Sequence, residues 1–157
     1  MLNPWLHVFF NSMLPIGELR FAIPWGIFEQ NLNYWLVMLV AIIGNSIPVL
    51  AIYFLLPYVT KYIRDLSPWF DKWIGWLFSH TYRRHTKNFD KYGSLALLLF
   101  VAIPLPFTGG WTGALTAYLF NIKPKYAVPN LILGLVIAAI IVTTFSLSLA
   151  GIWAFSL

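Results

Sequence analysis

The sequence predicts an all-α integral membrane protein built from two inverted repeats. Each repeat is a re-entrant helical hairpin followed by one transmembrane helix, and a cytoplasmic amphipathic helix and loop join the two. Three observations lead there. Hydrophobic residues make up 60% of the 157 and charged residues 10%, whereas soluble domains hold roughly 45–50% and roughly 25%. The stretches 30–60, 92–122 and 126–157 contain no charged residue, and each exceeds the ~20 residues a helix needs to cross the hydrocarbon core. Seven of the ten Lys and Arg lie between Lys61 and Lys91.

This composition excludes an ordinary water-soluble fold and intrinsic disorder. Without cysteine there are no disulfides, thiolate metal sites or cysteine nucleophiles. The net charge of +5 points to anionic membrane lipids as partners, not nucleic acid. No basic n-region opens the chain, so signal-peptide processing is not expected.

The chain reads as a single membrane domain over 1–157. Its parts are a first re-entrant hairpin (1–30), a first transmembrane helix (33–60), a basic cytoplasmic loop with an amphipathic helix (61–91), a second hairpin (92–122) and a second transmembrane helix (126–157). In the first hairpin Leu14-Pro15-Ile16-Gly17 breaks the apolar run into legs at 3–14 and 18–29. Proline removes a backbone donor and glycine weakens a helix interior. A leg of this length rises only ~18 Å, short of a ~30 Å core. In the second hairpin Pro104-Leu105-Pro106-Phe107-Thr108-Gly109-Gly110 does the same, leaving legs at 92–103 and 111–122. The two remaining segments read as true spans, the first with a kink at Asn45-Ser46-Ile47-Pro48.

Basic residues choose between topologies. Four full spans would put the 61–91 group and the pair Lys123 and Lys125 on opposite faces. Hairpin–span–hairpin–span puts them on one face, as the positive-inside rule demands. The expected location is the cell (cytoplasmic) membrane, multi-pass, with loop 61–91 cytoplasmic and both termini outside. Leu14-Pro15 and Leu105-Pro106 sit 91 residues apart, and near that offset each span begins. A repeat unit that crosses once leaves its second copy inverted, the plan of many secondary transporters.

In the loop, Ser67-Pro68 starts a helix with Trp69, Phe70, Trp73, Ile74 and Leu77 on one face, suited to the membrane interface. Arg83, Arg84 and Lys87 follow as candidates for lipid-headgroup contact, or as a plain topology anchor.

Glu18 and Arg20 are the informative charges, since a charge at bilayer depth costs on the order of 2.5–3.5 kcal/mol. Glu18 either caps its own helix N-terminus or is a protonatable site for a coupling proton or cation. Arg20 does not share a helix face with Glu18, so it must find a partner elsewhere in the fold or an anionic ligand. In the second tip, Thr108-Gly109-Gly110 precedes a helix that starts at Trp111, whose free N–H groups, with glycines allowing close approach, offer an anion cradle; the spacing of Gly109 and Gly113 also suits close helix packing. No catalytic constellation, metal site or cofactor is expected, so the chain does not read as an enzyme. A homodimer would help shield Glu18 and Arg20 from lipid.

The stretches Gly17-Glu18-Leu19-Arg20-Phe21-Ala22-Ile23-Pro24 and Ile103-Pro104-Leu105-Pro106-Phe107-Thr108-Gly109-Gly110-Trp111-Thr112-Gly113 resemble the two signature motifs of the small multidrug export protein family. That family is similar to the DedA superfamily, which includes lipid scramblases. The resemblance implies opposed re-entrant hairpins and translocation of a lipid, such as a phosphorylated or polyprenyl lipid, or of another amphiphile, linked to the proton gradient. It implies Glu18 as the essential acid. Where DedA proteins carry arginines near the second motif, this chain has Val101, Ala102 and Phe107, so Arg20 is the candidate to supply that charge. The expected substrate and coupling site is Pro15, Gly17, Glu18, Arg20, Pro104, Pro106, Thr108, Gly109, Gly110, Thr112 and Gly113. The alternative function, named by the family, is a small multidrug exporter working as a drug–proton antiporter.

Overall fold

A computed structural model describes residues 3–66, 89–104 and 108–155. Within them the chain is helical: α1 Pro4–Met13, α2 Glu18–Phe28, α3 Tyr34–Leu66, α4 Phe89–Ala102, α5 Gly110–Leu119 and α6 Pro124–Phe155. The expected interfacial helix and the basic cluster Arg83, Arg84 and Lys87 lie outside the described residues, as does Pro106.

Local chemistry sets the ends. Asn3 caps α1 by accepting from the Trp5 N–H at 3.1 Å, and Pro4 fills the first turn, where its missing donor costs nothing. Pro15 disfavours helical backbone at Leu14, which is extended (φ −72°, ψ 144°), and α1 stops there. The chain reverses through Gly17 at φ 98°. Asn33 caps α3 by accepting from the Trp35 N–H at 3.0 Å. The two turns leading into the long helices share a device. Asn31 and Asn121 both take φ 50°, a left-handed conformation that asparagine tolerates, and the next amide turns back: Leu32 N–H donates to Gly26 O, Ile122 N–H to Ala117 O.

The helix lengths sort into two classes. The stretches Tyr34–Tyr62 and Pro124–Leu149 are long and apolar enough to cross a membrane. At ~1.5 Å per residue, the 10, 11, 14 and 10 residues of α1, α2, α4 and α5 each fall short of ~30 Å. The first expected span is one helix: α3 is continuous through Asn45-Ser46-Ile47-Pro48, where the sequence suggests a kink, and through Pro57. Each proline there removes one i→i−4 bond, and packing on both sides holds the helix together.

α1 packs on α2 and α3, and α2 on α3; α4 packs on α5 and α6, and α5 on α6. Between the two groups, α2 meets α6, α5 meets α3, and α3 meets α6. Exchanging α1, α2 and α3 with α4, α5 and α6 leaves this set of pairings unchanged. The close approaches correspond as well. A side chain on Gly44 of α3 would strike Ser12 and the Phe9 carbonyl of α1, and one on Gly134 of α6 would strike Val101 and approach the Leu98 carbonyl of α4.

Val8, Leu19, Ile23, Val37, Leu97, Val101, Leu131 and Leu135 fill the core. The outer faces of the long helices carry exposed Leu36, Leu39, Ile43, Phe54, Leu133 and Phe145. So much contiguous apolar surface is unfavourable in water and suits hydrocarbon.

Candidate functional site: a carboxylate seated on a helix N-terminus

The breaks α1–α2 and α4–α5 are brought together, and Glu18 bridges them. It opens α2 at φ 49° and is 6% exposed. Its Oε1 accepts from the Trp111 N–H at 3.1 Å. Its Oε2 accepts from the Gly110 N–H at 3.2 Å and from Asn45 Nδ2 at 3.4 Å. Gly110 and Trp111 are the first residues of α5, whose N–H groups have no partner within the helix. The positive end of the helix dipole adds to the attraction. The carboxylate therefore occupies the position that an anionic ligand takes at a helix N-terminus.

Two expectations change accordingly. The hydrogen bonds of the Glu18 carboxylate run to α5 and to Asn45 of α3, not to its own helix; the left-handed backbone of Glu18 turns the carboxylate across to α5. Of the N–H groups at the helix start expected to cradle a ligand, those of Gly110 and Trp111 are engaged by the protein's own acid.

Glycine is needed at this contact. Gly109 sits at φ 150°, and a Cβ there would lie 2.5 Å from Glu18 Oε2. A Cβ on Gly110 would strike Val49 of α3, and one on Gly113 would strike Val101 of α4. Gly109 thus clears room for the carboxylate, whereas Gly110 and Gly113 let α5 approach its neighbours.

Arg20 reaches the same break from one turn into α2. Its Nη2 donates to the Ile103 carbonyl and to Thr108 Oγ1, each at 3.3 Å, and Thr108 Oγ1 donates to the same carbonyl at 2.9 Å. The guanidinium thereby ties together the two sides of the α4–α5 break, and its charge interacts with that of Glu18. Thr112 Oγ1 donates to Gly109 O at 3.4 Å, inside the first turn of α5. Pro15 and Pro104 are exposed at the two breaks; no hydrogen bond joins them to Glu18, and their part is to end α1 and α4.

Sequence reasoning missed Asn45 as a site residue, reading it as part of a kink. The available signal was an amide at the middle of a charge-free span, where a polar side chain needs a reason. Asn45 is fully buried, and its Oδ1 has no hydrogen-bond partner.

Behind the tip, a cavity of about 320 Å³ opens between α4 and α5. Gly93, Ala96, Phe100, Thr116 and Phe120 line it, and Thr116 is their only polar side chain.

The model for the family described as "Putative small multi-drug export protein" matches residues 18–141. Comparisons with curated proteins and with solved structures return no match.

Proposed function

Because the chain belongs to the small multi-drug export protein family, we propose that it is a membrane exporter in which a proton and an amphiphilic, cationic substrate compete for Glu18. A membrane location agrees with the family and with two helices long enough to cross. The finer topology is part of the proposal: α1–α2 and α4–α5 dip into the bilayer from opposite faces as re-entrant hairpins, and α3 and α6 span it. The short helices and the exchange of pairings between the two halves support that reading, since an inverted repeat places its broken helices face to face near the midplane.

The observation that carries the mechanism is the carboxylate of Glu18 on the N-terminus of α5. Charged, it accepts three hydrogen bonds and latches the two tips together. Charge-assisted bonds of this kind are about twice as strong as neutral ones. A proton, or a cation drawing the carboxylate away, weakens all three and frees α5 to shift. Alternate occupancy by proton and substrate then alternates the latch. The apolar cavity beside α5 suits the hydrophobic part of such a substrate.

A lipid carrier of the DedA type is the second reading, favoured by Arg20 at the tip. Against it, the guanidinium and the α5 amides are already engaged within the protein, so a lipid phosphate would have to displace Glu18. Liposome reconstitution separates the readings. With a proton gradient imposed, the wild type is expected to move tetraphenylphosphonium, and Glu18→Gln is expected not to. Movement of a fluorescent phosphorylated lipid, with no cation transport, would favour the second reading.

A further inference from the structure

We propose that Asn45 is a two-state positioning residue for Glu18: its amide donates to the charged carboxylate and, after rotation, its oxygen accepts from the protonated one. The inference rests on the reading that Glu18 takes up a proton, and it adds the group that would hold both forms.

The starting observation is an imbalance. Asn45 is fully buried on α3, its Nδ2 donates to Glu18 Oε2 at 3.4 Å, and its Oδ1 has no partner. A buried acceptor left unsatisfied is costly. Such a cost is understandable if a second state of the site satisfies it. A side-chain amide is suited to that task, because it carries a donor and an acceptor on one planar group. Rotation by half a turn exchanges them at nearly constant shape.

The surroundings favour this assignment. A charged Glu18 is acceptor-only and requires the Asn45 N–H. A protonated Glu18 gains an O–H that must donate to something. The other groups bonded to its carboxylate are the Gly110 and Trp111 N–H groups, which are donors and cannot receive it. The Arg20 guanidinium, on the same helix, is likewise donor-only. Asn45 Oδ1 faces the same helix end: a Cβ on Gly110 would lie 3.6 Å from it. Among the groups hydrogen-bonded to Glu18, Asn45 is therefore the one that can accept the proton of the neutral acid. A serine could also do both tasks, but only with a reach that matches; leucine or aspartate could not.

The test is carbon-13 magnetic resonance of the full-length protein in lipid nanodiscs, with Glu Cδ and Asn Cγ labelled. Glu18→Gln identifies the Glu18 signal, and Asn45→Ser identifies the Asn45 signal. The expected result is that Asn45 Cγ moves with pH at the same midpoint as Glu18 Cδ, and that it stands still in Glu18→Gln. If Glu18 titrates while Asn45 Cγ does not respond, this inference falls and the exporter reading survives. If Glu18 does not titrate at all, both fall. As a functional arm, Asn45→Leu is expected to retain folding and lose proton-driven transport, with Asn45→Ser restoring part of it. Full transport by Asn45→Leu would overturn the proposal.

Discussion

The carboxylate of Glu18 accepts a hydrogen bond at 3.1 Å from the backbone N–H of Trp111, its partner 93 positions along the chain. That bond and its neighbour to Gly110 close the contact between the two breaks. It gives the acid a structural duty in the charged form, so any event that neutralises the acid acts on the packing of α5.

Removing the acid should therefore loosen the fold at this point. Glu18→Ala leaves two helix N–H groups without their acceptor in a buried setting, a loss of about 1–3 kcal/mol. Glu18→Gln keeps the shape and a neutral acceptor and should lose less. Thermal unfolding in detergent is expected to rank wild type above Glu18→Gln and Glu18→Gln above Glu18→Ala. Equal midpoints for all three would mean that the contact carries no stability.

A methyl group at Gly109 meets Glu18 directly. The backbone there disfavours a side chain, and the added Cβ would crowd both carboxylate oxygens. Gly109→Ala is expected to abolish transport and lower the unfolding temperature. Gly151 supplies the control, since a Cβ there meets nothing within 4 Å, and Gly151→Ala should behave as wild type. Export that survives Gly109→Ala would argue against a tight seat for the acid.

Arg20 and Thr108 should be energetically coupled, because both bond the Ile103 carbonyl and each other. A double-mutant cycle of Arg20→Gln and Thr108→Val is expected to give a coupling of about 0.5–3 kcal/mol in unfolding free energy. Strict additivity would show that the guanidinium has its main partner elsewhere.

The natural chain has no cysteine, so single cysteines report sidedness without background. Cysteines introduced at Gly75 and Lys123 are expected to react with an impermeant maleimide from the same side of the membrane. Labelling from opposite sides would restore four full spans and remove the re-entrant hairpins.

Local chemistry made much of the helix pattern legible. Proline and glycine act on their own backbones and immediate neighbours, so Pro15 with Gly17 and Pro104 with Gly109 mark the breaks without knowledge of the fold. Pro48 acts just as locally but does not end α3, which is packed against α1, α2, α5 and α6. The site was legible in its membership more than in its wiring. Glu18 and Arg20 stand out because charges are costly at membrane depth. Their partners do not, because the nearest carbonyl or amide to each is set by how two distant breaks meet. The left-handed turn at Glu18, which sends its carboxylate to α5 and not to α2, has no sequence signal beyond the preceding Gly17. Asn45 was visible as a polar residue in an apolar run, but only its distance from Glu18 gives it a role.

The central claim is that substrate and proton exchange at one carboxylate, and proton release on substrate binding tests it most directly. Purified protein in weakly buffered detergent solution, with a pH-indicator dye, is mixed with tetraphenylphosphonium while binding is followed in parallel. The account expects the wild type to release protons as the cation binds, and Glu18→Gln to release none. Cation binding with no proton release from the wild type, or equal release from both proteins, would contradict it.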